Sequence, residues 1–170
     1  MNKNKFIVTF AGPIGSSKTP IAHYLSCNFN LPIYNNDVVR IEVTEDLLSF
    51  NKEEHKKRRN IRIKEILNNG DSFILDASVD REWKNYIDDI NKSGYKVFII
   101  SLDLSKELLL KLYKAKQYNE VVGKVDKSIE DHNNFLEKFG GFVNLRITDQ
   151  NFSKRLELSS KKLKEWLKQL

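Results

Sequence analysis

Short apolar runs alternate with longer helical patterns along this chain, and that alternation constrains the fold more than any single residue does. The run "FIVTF" at 6–10 is compact and β-rich, and Ala11-Gly12 bounds it. Residues 18–29 read as a helix, "LPIY" at 31–34 as a short strand, and "VRIEVTEDLL" and "KEEHKKRRNIRIKEIL" as two further helices. The second of these is expected to turn Ile61, Ile66 and Leu67 inward, and Asn69-Gly70 ends it. "SFILDA" at 72–77 and "KVFIISLD" at 96–103 read as buried strands, separated by the helical "REWKNYIDDINKSG". "SKELLLKLYKAKQ" and residues 127–139 are expected to be helical, "FVNLRIT" at 142–148 a fifth strand, and "SKRLELSSKKLKEWLKQL" a closing amphipathic helix. Five strands interleaved with helices predict an α/β domain: a parallel sheet covered on both faces, in three α/β/α layers. The 170 residues, without internal repeat or long linker, suit one domain spanning 1–170.

In such a sheet right-handed crossovers bring the strand C-termini to one edge, where ligands bind. The Gly12 loop, Asp37, Asp76 and Asp149 all follow strands and are expected on that edge. The first of these is the most specific signal. Gly12-Pro13-Ile14-Gly15-Ser16-Ser17-Lys18-Thr19 matches the Walker A pattern G-x-x-x-x-G-K-[ST] except at Ser17. It follows a strand and opens a helix, the context in which backbone N–H groups wrap an anion and the helix N-terminus adds positive charge. Lys18 is then expected to reach the β- and γ-phosphates of ATP, and the Thr19 hydroxyl to ligate Mg²⁺. Ser17 is expected to keep a negative φ by entering the first helical turn, and Pro20 lies where a missing N–H costs little. Binding is expected despite Ser17.

Asp76 ends the run Phe73-Ile74-Leu75, a Walker B-like strand with an acid at its tip able to hold the Mg²⁺ water shell. Ala77 stands where a hydrolytic machine places a water-activating Glu, and no guanine-reading N-K-x-D is present. "IYNNDVVR" puts Asp37 just past the second strand and Arg40 one helical turn on, facing the same side. Asp37 can take a proton from an acceptor hydroxyl while Arg40 holds an anionic part of that acceptor. The plainer alternative is that Asp37 caps the following helix and Arg40 makes a salt bridge.

These segments resemble the small P-loop kinases that include the polynucleotide 5′-kinase domain, zeta-toxin-like kinases and chloramphenicol phosphotransferase. The resemblance rests on "GPIGSSKT", on "NDVVR" after the second strand and on "FILDASVDREWK". It implies a P-loop NTPase fold with a five-stranded sheet of order 2-3-1-4-5 and a helical lid after the fourth strand, about 111–127. It implies Asp37 as the acceptor-activating base, Arg40 as acceptor-binding, and Arg81 near the acceptor or phosphates, although Arg81 also suits a surface helix start. Such kinases place arginines along the lid. Here "KLYKAK" offers Lys111, Lys114 and Lys116, which carry charge without the bidentate fork. Arg58, Arg59 or Arg62 are candidates to substitute, although "KKRR" at 56–59 also reads as a solvated face.

Hydrophobic residues make up 40% of the chain and charged residues 31%, the balance of a soluble globular protein. No apolar run approaches the ~20 residues that span a bilayer, and the basic lead at 1–4 opens the first strand rather than a signal peptide. The net charge of +6 favours an anionic partner. The lysine excess is scattered, so a solvated surface is the first reading and nucleic acid the second. Cys27 is single, which suits a reducing, cytoplasmic setting, and it is expected to pack within its helix. His23, His55 and His132 lack metal-ligand spacing, and Trp83 and Trp166 are expected in the core. The reading is an ATP- and Mg²⁺-dependent kinase acting on a hydroxyl acceptor, a small molecule or nucleotide-like. Its rivals are a non-catalytic or regulatory nucleotide-binding protein and a polynucleotide 5′-hydroxyl kinase. No feature of the sequence sets the acceptor or the oligomeric state.

Overall fold

A computed structural model describes residues 5–81 and 83–170; the basic lead at 1–4 and Glu82 lie outside the described residues. The described residues form a five-stranded parallel sheet of order β2-β3-β1-β4-β5, as expected. The strands are β1 (Phe6–Ala11), β2 (Ile33–Asn35), β3 (Phe73–Ser78), β4 (Lys96–Asp103) and β5 (Val143–Thr148). The helices are α1 (Lys18–Phe29), α2 (Asn36–Leu47), α3 (Lys52–Asn69), α4 (Trp83–Lys92), α5 (Lys106–Lys116), α6 (Val125–Phe139) and α7 (Arg155–Leu167), with a 3₁₀ segment at Asn119–Lys124.

The period-2 alternation of β1 produces the three layers. Val8 and Phe10 join Phe98 and Ile100 in a core with Ile21 and Leu25 of α1 and Leu163 of α7. Ile7 points to the other face, where Phe73 and Leu75 meet Ile63 and Leu67 of α3 and Tyr95. A third cluster joins Ile99 to Val79, Trp83 and Phe135, which seats α4 and α6. Trp83 is buried, as expected, whereas Trp166 is partly buried and packs on the core at Phe6 and Phe98. Two sequence expectations fail. Ile61 is exposed, because the inward stripe of α3 runs through Ile63, Ile66 and Leu67 at i, i+3 and i+4. Cys27 is exposed too, because the buried face of α1 is Ile21, Ala22 and Leu25.

One irregularity bears on the site. The β1–β3 register runs Thr9↔Leu75 and then Phe10↔Ser78, so Asp76 and Ala77 have no partner on β1. Asp76 stays paired with Asn35 of β2. The extra residues re-aim the tip of β3 beside the loop that follows β1. Among the described residues, no helix is long and apolar enough to cross a membrane.

Candidate functional site

Residues 12–17 join the tip of β1 to α1 and lie at the C-terminal edge of the sheet. Lys18 holds the loop in shape: its Nζ donates to Gly12 O at 2.8 Å, Pro13 O at 2.6 Å and Ser16 Oγ at 3.2 Å. Gly15 has φ +70°, and a Cβ there would lie 2.5 Å from Tyr113 Cε1. Glycine is therefore required by backbone and by packing. Ser17 departs from expectation. Its φ is +82° and ψ 31°, the left-handed region in which the consensus glycine is at ease. It has this conformation because it is the N-cap of α1, outside the helix, and not part of the first turn. Its hydroxyl makes no cap hydrogen bond and instead accepts one from Arg155 Nε at 3.1 Å. The first amides of α1 are thus left without a side-chain cap and without an acid in the first turn, open to an anion.

Three carboxylates surround Lys18. Burial pushes its amine down to about 8, opposed first by Asp80, then by Asp76, and more weakly by Asp37. Asp76, 7% exposed in the C-terminal half of β3, accepts from Asn35 Nδ2 at 2.9 Å. Burial raises its pKa, while the Thr19 hydroxyl and Lys18 pull the other way. Thr19 and Asp76 therefore sit side by side. Asp37 is exposed and close enough to act on both Lys18 and Asp76. It does not cap α2. That role belongs to Asn35, whose Oδ1 accepts from Asp37 N at 2.7 Å and Val38 N at 3.4 Å.

The remaining cations divide. Arg40 stacks on Phe50, 4.3 Å from the ring centroid, with no salt bridge among the described residues. Arg81 is 73% exposed and turns to Asp131 of α6 at 3.7 Å, and no hydrogen bond joins it to the loop. Lys111 pairs with Glu107 and Lys114 is exposed. Lys116 alone of the three lysines reaches the loop, donating to Gly15 O at 2.7 Å. Burial and the nearby Arg155 lower its pKa. Arg58 and Arg62, candidates to stand in for lid arginines, are paired with acids elsewhere. Arg58 pairs with Glu42, Asp46 and Glu54, and Arg62 with Glu42, in a network between α2 and α3.

Four residues lie at the loop that the sequence reading did not place there. Asp80 Oδ1 and Oδ2 each accept from Gly12 N at 3.1 Å. His132 Nδ1 lies 3.3 Å from Asp80 Oδ2. Tyr113 donates its hydroxyl to Ile14 O at 2.6 Å, and Arg155 holds Ser17. Asp80 was visible four residues beyond Asp76 in "DASVD"; the other three carry no spacing signal. Asp149, expected beside the site, accepts from Ser105 N at 2.9 Å and ties the end of β5 to the start of α5. Among the described residues no His, Cys, Asp and Glu cluster could by itself hold a metal.

No family model matches the chain, and no curated protein matches it. Solved structures do. A gluconokinase from Sinorhizobium meliloti superposes with a TM-score of 0.67 at 11% identity, over 99% of this chain and 97% of that one. An APS kinase from Mycobacterium tuberculosis, solved with AMPPNP and APS, gives 0.64 at 16% identity over 95% and 98%. The tunicamycin resistance protein of Deinococcus radiodurans gives 0.65 at 16% over 94% and 96%. At these identities the likeness is one of fold: the chain has the fold of the small P-loop kinases.

Proposed function

We propose that this protein is a kinase that moves the γ-phosphoryl group of ATP to a hydroxyl of a small-molecule or nucleotide-like acceptor. The observation that carries the reading is the convergence of Asp76 and Asp37 on Lys18, at the uncapped N-terminus of α1. The kinases among the fold neighbours support the same class. In this reading one domain spans 1–170. The amides of residues 14–19 and Lys18 hold the triphosphate. Thr19 and Asp76 supply hard oxygen donors, the kind Mg²⁺ takes, and the ion when bound neutralises charge across the β- and γ-phosphates. Asp37 takes the proton of the acceptor hydroxyl as the new O–P bond forms and the bond to ADP breaks. Arg40 lies one turn along α2 for an anionic group of the acceptor. Lys116 adds charge at the loop, and catalysis is mostly positioning and electrostatics.

One observation favours a non-catalytic nucleotide-binding protein instead: residues 111–127 hold no arginine, and Lys111 is paired with Glu107. Labelled ATP offered with a panel of hydroxyl acceptors, oligonucleotides with free 5′-hydroxyls included, separates the readings by acceptor-dependent ADP release. Asp37→Asn is expected to leave nucleotide affinity intact and to lower phosphorylation by roughly 10²-fold, the lower end for a general base because the transition state is loose. Asn35 caps α2, so no loss of capping obscures the result. Nucleotide binding with no ADP release for any acceptor, in a protein whose loop is intact, would support the non-catalytic reading.

A further inference from the structure

Behind the phosphate-binding loop lies a buried chain of three polar side chains that the proposed chemistry does not use. Asp80, in the turn after β3, has a side chain 5% exposed. His132 of α6 is 2% exposed and Ser101 of β4 is fully buried. His132 Nδ1 lies 3.3–3.4 Å from the two oxygens of Asp80, and its Nε2 lies 3.3 Å from Ser101 Oγ. One tautomer satisfies all three groups: Nδ1–H donates to the carboxylate and Nε2 accepts the hydroxyl proton. The order carboxylate–imidazole–hydroxyl is that of a hydrolytic triad. Ser101 is inaccessible, however, because it is 0% exposed on an inner strand of the sheet, between β1 and β5. No substrate reaches its oxygen, so a nucleophile is excluded.

The chain ends instead on Gly12. Asp80 takes the Gly12 N–H on both oxygens, while the Gly12 carbonyl accepts from Lys18 Nζ at 2.8 Å and Ser78 Oγ at 3.2 Å. The first residue of the loop is thus held at both its N–H and its carbonyl, through two successive peptides. Gly12 has φ +150°, and a Cβ there would lie 3.0 Å from Ser16 Oγ and 3.1 Å from Leu102. A buried carboxylate deprived of a donor is costly and seeks another. If α6 moves and withdraws His132, Asp80 is left with Gly12 N–H and the nearby ammonium of Lys18, and Lys18 is then drawn away from phosphate. The helix α6 directly follows the 3₁₀ segment 119–124, so its placement is tied to that of the proposed lid.

We propose that Asp80 and His132 are positioning residues that transmit the placement of α6 to the phosphate-binding loop. The proposal rests on the nucleotide-binding reading of that loop. The pair of Arg81 and Asp131, at 3.7 Å, runs beside the link, and its arginine is too solvated for the pair to replace it.

The test compares His132→Phe, which keeps a ring and loses both hydrogen bonds, with His132→Asn, whose amide can still donate to Asp80. Urea unfolding first establishes that each variant is folded. Hydrogen exchange of the amides at 12–18 is then followed without nucleotide, and the dissociation constant is measured for a non-hydrolysable ATP analogue with Mg²⁺. His132→Phe is expected to speed loop exchange and to weaken the analogue roughly tenfold, and His132→Asn to recover most of both. Adding Asp80→Ala to His132→Phe is expected to cost less than the sum of the two. A folded His132→Phe with unchanged loop exchange, or losses that simply add, would overturn the link. Should His132→Phe fail to fold, Asp80→Asn carries the same measurement, and unchanged loop exchange in it has the same consequence. A wild-type protein that does not bind the analogue would end the kinase reading, and loop exchange would still decide the link.

Discussion

Ser17 and Lys18 show how much one residue decides at this loop. A non-glycine residue in the left-handed region costs about 1–2 kcal/mol. Glycine there would relieve that strain but lose the Arg155 hydrogen bond, worth about 0.5–1.5 kcal/mol, and loosen the unfolded chain by about 0.4–1 kcal/mol. These terms nearly cancel. Ser17→Gly is therefore expected to change stability by less than about 1 kcal/mol and to leave nucleotide affinity similar. Ser17→Val keeps the strain, adds a β-branch and loses the hydrogen bond, so it is expected to cost about 2 kcal/mol or more. Chemical denaturation of the two variants checks the pair, and equal effects would mean the backbone does not hold its left-handed turn. Lys18 carries a pH signature. Its amine in the free loop is held down to about 8. A bound triphosphate, fully ionised above about pH 7, favours the ammonium form and raises that value. Binding therefore takes up a proton above pH 8, and affinity is expected to fall, by up to about tenfold per pH unit, as pH rises through and beyond 8. Titration calorimetry in two buffers of different ionisation enthalpy reads that proton, and constant affinity from pH 7 to 9 would contradict it.

At the scale of elements, α5 is already fastened to the loop. Tyr113 is 1% exposed and Lys116 donates to Gly15 O, so the last turn of α5 sits on residues 14–15. Lid motion is then expected to begin after Lys116, where Gln117 terminates the helix with φ +57°. Hydrogen exchange with and without a non-hydrolysable ATP analogue should gain protection at 117–127 and at the loop, and little at 111–116. Equal gains across 111–127 would mean that α5 moves as a unit. The same contact makes Gly15→Ala costly. Strain and the collision with Tyr113 are expected to remove about 1–3 kcal/mol of stability and most nucleotide affinity, as seen by denaturation and calorimetry. The helix α2 was legible from about Val39, three residues after its observed start, and the alternative that Asp37 caps it fails. Asn35 reaches forward from the last position of β2 to the amides of Asp37 and Val38, which leaves the Asp37 carboxylate out of the capping role.

Across the whole molecule the core and the site are joined by α7. Trp166 packs on Phe98 at 5.3 Å and Phe6 at 5.9 Å, while Arg155 at the other end of the helix holds Ser17. Trp166→Ala is expected to cost roughly 3 kcal/mol and to weaken nucleotide binding in the folded fraction. Unchanged affinity would mean that Arg155 keeps its place without the packed end of the helix. The strands, the helices and the loop between β1 and α1 could be read from the chain alone, because each follows from a local rule. Side chains alternate every two residues in a strand and every 3.6 in a helix, and glycine appears where the backbone must turn. Local rules were silent on which side chains meet. They turned Ile61 inward and Cys27 into the packing, assigned Ser17 a negative φ, and ranked Lys111, Lys114 and Lys116 alike. The tertiary structure decided these points through contacts between residues far apart in sequence: 52 residues separate Asp80 from His132, 101 separate Gly15 from Lys116, and 138 separate Ser17 from Arg155. Such pairs follow no sequence period; they form only when packed layers bring the sheet edge, α5, α6 and α7 together.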